Sequence, residues 1–102
     1  PQEHANLGSV LHSLAAVVRR RKEEMPEGSY TTYLFKTGLD KILKKVGEEA
    51  AETIIAAKNH NREEIARESA DLLYHLVVLW KHEGVGLDDV ARELNARARQ
   101  KQ

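Results

Sequence analysis

An all-α fold is what this sequence predicts: four to five helices in an antiparallel bundle that dimerisation completes, with residues 1–102 as a single domain. Three observations support it. Apolar residues recur at helical spacing through four long stretches, and no segment alternates with the period of a half-buried strand. The hydrophobic complement is aliphatic, with only five aromatics, Tyr30, Tyr33, Phe35, Tyr74 and Trp80. A chain of 102 residues is also large enough for one core but not for two.

Residues 3–22 form the first predicted helix, with Leu7, Val10, Leu11, Leu14, Ala15, Val17 and Val18 on one broad face. Arg19-Arg20-Arg21-Lys22 closes it, where cations complement the negative end of the helix dipole. No second basic stripe supports a nucleic-acid reading of that run, so a solvated helix end is preferred. Met25-Pro26-Glu27-Gly28 breaks the helix. Residues 29–36 are ambiguous between a short helix and an extended segment. Ser29 or Thr31 as a cap favours one or two helical turns.

After Gly38, residues 39–58 carry Leu39, Ile42, Leu43, Val46, Ala50, Ile54 and Ala57 on one face of a strong helix. Asn59-His60-Asn61 is a turn, and Arg62-Glu63-Glu64 opens a helix that runs to about residue 83. Its apolar arc (Ile65, Ala66, Ala70, Leu72, Leu73, Leu76, Val77, Leu79, Trp80) approaches half the circumference. So wide an arc predicts burial on two sides, with a second subunit as the second cover. Gly84-Val85-Gly86 ends that helix. Asp88 or Asp89 begins a last one, with Val90, Leu94 and Ala98 as a thin apolar stripe.

The chemistry concentrates in Lys44-Lys45-Val46-Gly47-Glu48-Glu49-Ala50-Ala51-Glu52 and in Glu68-x-x-Asp71 on the next helix. Lys41, Lys45, Glu48, Glu49 and Glu52 fall in a sector of roughly 100° on the helical wheel. Glu64, Glu68, Asp71 and His75 line the border of the following helix's apolar arc. If the intervening turn reverses the chain, both acidic sets face one cleft. Clustered carboxylates repel by a few kcal/mol per close pair at an effective dielectric of about 20, so the cluster calls for a cation. Hard oxygen donors without Cys or paired His suit Mg²⁺, with Mn²⁺ as the other option. The neighbouring ammonium groups suggest a phosphate-bearing anionic substrate and attack of water on phosphorus. His75, one turn after Asp71, is open between a ligand, a hydrogen-bond partner and a boundary residue.

Each piece also has a plainer reading. A Glu-rich helix beside Lys is commonly a solvated face, and Lys44/Glu48 and Lys45/Glu49 have i, i+4 spacing. The conjunction of two acidic sets on adjacent helices, beside apolar faces, is what favours a site. No His has a Glu three residues before it, which argues against a di-iron bundle. EF-hand and phosphate-loop glycine patterns are absent, no Ser/His/Asp arrangement stands out, and without Cys there is no thiol chemistry. The charges balance, 16 basic against 16 acidic, so no global field recruits nucleic acid or a membrane. No apolar run approaches the ~20 residues of a membrane span, and residues 1–18 lack a signal-peptide pattern. Together with the absence of Cys, this fits a reducing cytoplasm.

At these residues the sequence closely resembles the phosphoribosyl-ATP pyrophosphohydrolases of histidine biosynthesis. Ser29-Tyr30-Thr31, Gly38, the Lys44–Glu52 block, Glu68-x-x-Asp71-Leu72-Leu73-Tyr74-His75 and Gly86-Leu87-Asp88-Asp89-Val90 carry the likeness, over residues 7–95. That family is similar to the wider all-α MazG-like nucleoside triphosphate pyrophosphohydrolases, with their Glu-x-x-Glu and Glu-x-x-Asp pattern. The resemblance implies hydrolysis of 1-(5-phosphoribosyl)-ATP to phosphoribosyl-AMP and pyrophosphate, with Mg²⁺, in the cytoplasm, by at least a homodimer. It implies Glu49, Glu52, Glu68 and Asp71 as metal ligands, and Glu48 as a further ligand or the base that orients water, so that Glu48 and Glu49 are the catalytic pair. Lys45, and less directly Lys44, would contact phosphates, while Ser29, Tyr30 and Thr31 would line the nucleotide site. Lacking the cyclohydrolase half sometimes fused ahead of this domain, the chain is expected to carry out one step only.

Two other functions stay open at this level. One is a house-cleaning pyrophosphohydrolase for another nucleoside triphosphate, which would need neither the lysine pair nor Ser29-Tyr30-Thr31. The other is a non-catalytic helical dimerisation module, whose stability Mg²⁺ would leave unchanged.

Overall fold

The structure is a computed structural model and describes residues 6–101. Within them lie five helices and no strand: α1 (Leu7–Glu24), α2 (Tyr30–Thr37), α3 (Leu39–Lys58), α4 (Arg62–Glu83) and α5 (Leu87–Lys101). The all-α expectation holds. Residues 3–5 of the first predicted helix lie outside the described residues.

Each boundary has a local cause. Asn6 caps α1 by accepting from the Ser9 N–H at 3.0 Å, supplying one of the partners that the first turn lacks. The helix stops at Met25, held left-handed at φ 49° with its N–H on the Arg21 carbonyl, and Pro26 cannot continue it. Arg21 and Lys22 occupy the last turn, as the dipole argument requires. The ambiguous segment is helical: Ser29 accepts from the Thr32 N–H at 3.2 Å and starts α2. Gly38, at φ 96°, ends α2 and opens α3 in a single residue, a conformation that a side chain would strain. Asn61 caps α4 through the Glu64 N–H at 3.1 Å, and Gly84 ends it left-handed. The last helix begins at Leu87, one residue before the predicted start, with Asp89 accepting from the Gly86 N–H.

The three-residue turn at Asn59–Asn61 folds α3 and α4 into an antiparallel hairpin, the most extensive contact in the chain. α1 packs on α4, and α2 touches α1, α3 and α4 together. α3 and α1 thus both meet α4 from within the chain, while Ala66 and Ala70 of its wide apolar arc stay exposed and Leu72, Leu73 and Leu76 are half-buried. Val18, Leu34, Ile42, Val77 and Val78 form the buried core, flanked by Leu11, Leu14, Phe35, Tyr74, Leu79 and Trp80. Full burial of such side chains stabilises by roughly 1.5–3 kcal/mol each. This small core leaves Leu43, Ile54 and Ile55 of α3 and Leu94 of α5 exposed. Among the described residues α5 contributes no fully buried side chain, though Leu87 and Val90 are half-buried.

Candidate active site

The hairpin sets Glu49 and Glu52 of α3 opposite Glu68 and Asp71 of α4. Their proximity registers on Glu68, whose carboxyl is raised above its ordinary value. Loss of solvent around this half-buried side chain comes first, and the charges of Glu52, Asp71, Glu64 and Glu49 add to it. Glu64, a border residue in the sequence, thus joins the electrostatics of the site. Glu48, Glu52 and Asp71 are exposed, whereas Glu49 is only 6% exposed.

Glu49 reaches that depth because it packs against His75, itself buried. The imidazole Nδ1 lies 2.9 Å from the Asp71 carbonyl, one turn back on α4, and 2.5 Å from Glu49 Oε1. Both neighbours are acceptors, so Nδ1 carries a proton. That N–H is directed at the carbonyl, which leaves Glu49 Oε1 close to the ring but without a directed donor. On the far side of the ring, the Tyr30 hydroxyl lies 3.0 Å from Nε2. His75 is therefore an inner hydrogen-bond partner, the second of its three open readings.

Around this axis the aromatics gather. Tyr30 stacks between Tyr33 and Tyr74 with centroids 6.0 and 6.1 Å away, and His75 meets Tyr74 edge-on at 4.9 Å. Burial raises the Tyr30 phenol, Lys45 opposes that, and Tyr74, Glu49 and Tyr33 reinforce it. Partial burial pulls the Lys45 ammonium down, but Tyr30, Glu48 and Glu49 outweigh it and leave the group raised. Lys45 pairs with Glu48 at 3.5 Å, an i, i+3 contact, whereas the sequence spacing had suggested Glu49. Lys44 is exposed and in no ion pair among the described residues. Of Ser29-Tyr30-Thr31, Ser29 caps α2, Tyr30 is 45% exposed beside the acids, and Thr31 is buried with its hydroxyl on Tyr74.

Two hollows open elsewhere. One of about 420 Å³ lies among His12, Ala15, Arg19, Val77, Trp80 and Leu87, away from the acids. The other, about 640 Å³ and shallow, is lined by Gly28, Ser29, Tyr30, Thr32, Tyr33 and Lys36. Chemistry, not depth, locates a reaction, so the acidic trough is the candidate, and Tyr30 joins it to the second hollow. Among the described residues no three His, Asp or Glu side chains are already closed on a single point fit for a metal. The donor set nonetheless suits a hard divalent cation: it is all carboxylate, one buried oxygen lacks a directed donor, and Glu68 records repulsion that a cation would relieve.

Fold and site together define an all-α domain with a carboxylate trough between two antiparallel helices, next to an ammonium group and phenols. The profile of the phosphoribosyl-ATP pyrophosphohydrolase family matches residues 11–98, and the chain belongs to that family. It is 54% identical over 96 residues to the histidine biosynthesis bifunctional protein HisIE of Bacillus subtilis, covering 94% of this chain and 46% of that protein. It is 54% identical over 87 residues to the phosphoribosyl-ATP pyrophosphatase of Leptospira biflexa, covering 85% of this chain and 95% of the relative. To the phosphoribosyl-ATP pyrophosphatase of Clostridium botulinum it is 52% identical over 92 residues, covering 90% and 84%. The chain thus spans under half the length of the bifunctional relatives and most of the length of the others.

Proposed function

We propose that this chain hydrolyses 1-(5-phosphoribosyl)-ATP to 1-(5-phosphoribosyl)-AMP and pyrophosphate, a step of histidine biosynthesis. Family membership supports the reading, and the single structural observation that carries it is the meeting of α3 and α4 acids around Glu68. Glu49, Glu52, Glu68 and Asp71 would hold Mg²⁺ or Mn²⁺. A divalent ion there supplies Lewis-acid neutralisation of the triphosphate charge.

The remaining work falls to side chains. Lys45, held protonated by its acidic and phenolic neighbours, orients the phosphates, with Lys44 as an exposed second contact. Glu48, exposed beside it, orients water and takes its proton, while Glu49 is fixed from behind by His75. Water forms the new bond to the α-phosphorus as its proton passes to Glu48, and the anhydride bond between the α- and β-phosphates breaks with its electron pair leaving on pyrophosphate. Ser29, Tyr30 and Thr31 place α2 beside the trough, with Tyr30 facing the nucleotide.

No helix among the described residues is long and apolar enough to cross a membrane, and the reading places the protein in the cytoplasm. It acts as a homodimer, for which Leu43 and Ile54, 45% and 64% exposed on one stripe of α3, are the proposed contact. Mg²⁺ should raise the melting temperature, and Asp71→Asn or Glu52→Gln should remove both that gain and pyrophosphate release. A folded Asp71→Asn variant with undiminished Mg²⁺-dependent turnover would refute the site.

A further inference from the structure

The buried pair of Glu49 and His75 lies deeper than metal binding or substrate contact alone would require, and His75 has no place in the chemistry above except through its neighbours. It is 4% exposed, so it cannot itself meet a substrate from solution. Its two nitrogens nevertheless face the two halves of the site. Nδ1 lies against Glu49 Oε1 and the Asp71 carbonyl, and Nε2 faces the hydroxyl of Tyr30 on α2.

We propose that His75 is a positioning residue that couples the acidic trough to the nucleotide-facing helix α2, with its Nδ1–H side setting Glu49 and its Nε2 side setting Tyr30. The inference rests on the activity proposed above.

The tautomer follows from the partners. A carbonyl and a carboxylate both flank Nδ1, and neither can donate, so the proton sits there. In the neutral ring Nε2 is then an acceptor, and Tyr30 donates to it. A ring fixed at both ends cannot rotate without releasing one partner. Tyr74 and Tyr30 meet the imidazole in edge-to-face arrangements with centroids 4.9 and 5.7 Å away, which restricts its plane. One α4 residue earlier, Tyr74 takes the Thr31 hydroxyl, so two adjacent α2 residues are tied to two adjacent α4 residues. Moving α2 therefore moves the imidazole, and with it the carboxylate behind it.

The two ends are separable by substitution. His75→Asn keeps an N–H near the Nδ1 position and loses the reach to Tyr30. His75→Gln reaches Tyr30 and loses the ring nitrogen that lies against Glu49 Oε1. With saturating Mg²⁺ and phosphoribosyl-ATP, His75→Gln should lower kcat by about 10–100-fold, as loss of an outer partner of a metal-binding carboxylate does. His75→Asn and Tyr30→Phe should each raise KM by roughly 5–10-fold, the worth of one hydrogen bond, with kcat nearly kept. In the double variant Tyr30→Phe adds nothing to His75→Asn, because the link is already broken.

Circular dichroism confirms which variants are folded. If His75→Gln fails to fold, the KM cycle and the ring-nitrogen resonances of wild type and Tyr30→Phe decide. The Nε2 resonance should shift on Tyr30→Phe while Nδ1 stays protonated. Additive KM effects, a folded His75→Gln with wild-type kcat, or an Nε2 resonance indifferent to Tyr30 would overturn the coupling. A wild type inert on phosphoribosyl-ATP would instead sink the activity, and the positioning role with it.

Discussion

Leu34 is the side chain on which the placement of α2 depends, and Leu34→Ala tests that directly. It is 0% exposed and the one apolar residue of α2 inside the core, where it joins Val18, Ile42, Val77 and Val78. Those four partners are themselves almost fully buried and are fixed on three other helices, so the space left behind closes only in part. The loss should therefore sit in the usual Leu→Ala range at about 3–4 kcal/mol, transfer and cavity terms together. Against a total stability of about 5–10 kcal/mol for a domain of this size, that is a large fraction. At roughly 4–8 °C per kcal/mol, the melting temperature should fall by about 15–25 °C. Urea titration followed at 222 nm gives the free energy, and Ile55→Ala on the exposed face of α3 is the control. A Leu34→Ala loss below about 1 kcal/mol would refute the packing of α2, and with it the position given to Tyr30.

The remaining predictions concern charge and surface. In metal-free buffer the ionised Glu68 opposes folding, because its folded carboxyl is raised above the ordinary 4.5 by burial and by four neighbouring acids. A raised acid binds protons more readily when folded, so its penalty is full above the raised value and vanishes as pH falls below 4.5. Glu68→Gln should thus raise the melting temperature at neutral pH, with the advantage shrinking on acidification; a variant melting lower at pH 7 contradicts this. Mg²⁺ at about 100 times its dissociation constant should add about 2.7 kcal/mol to the wild type and be reversed by EDTA. In the dimer reading, Ile54→Asp should shift sedimentation from dimer to monomer at micromolar concentration, and an unchanged dimer would place the contact elsewhere.

Much of the architecture was legible because it is local. Ser29, Asn61, Gly38 and Gly84 mark helix ends through their own backbone and side-chain chemistry, and those marks survive without tertiary context. The angular sector of Glu48, Glu49 and Glu52 was equally available from helical geometry. Depth was not. A helical wheel puts Glu49 beside Glu52, but only the packing of α4 decides that Glu49 is buried while Glu52 is exposed. His75 was placed on the right border and its role left open, since its partners Tyr30 and Glu49 lie 45 and 26 residues away and belong to other helices. Thr31 turns inward to Tyr74 because α2 packs on α4, a contact that no local pattern announces. The cover of α4 is a question of the same kind. An apolar arc says that something must cover it but not whether that cover is α1 or another chain.

Pyrophosphate release from phosphoribosyl-ATP, with and without Mg²⁺ and beside ATP and other nucleoside triphosphates, tests the central claim most directly. The account predicts metal-dependent release confined to phosphoribosyl-ATP. Release from the common triphosphates instead, or none from any substrate by folded protein, would contradict it.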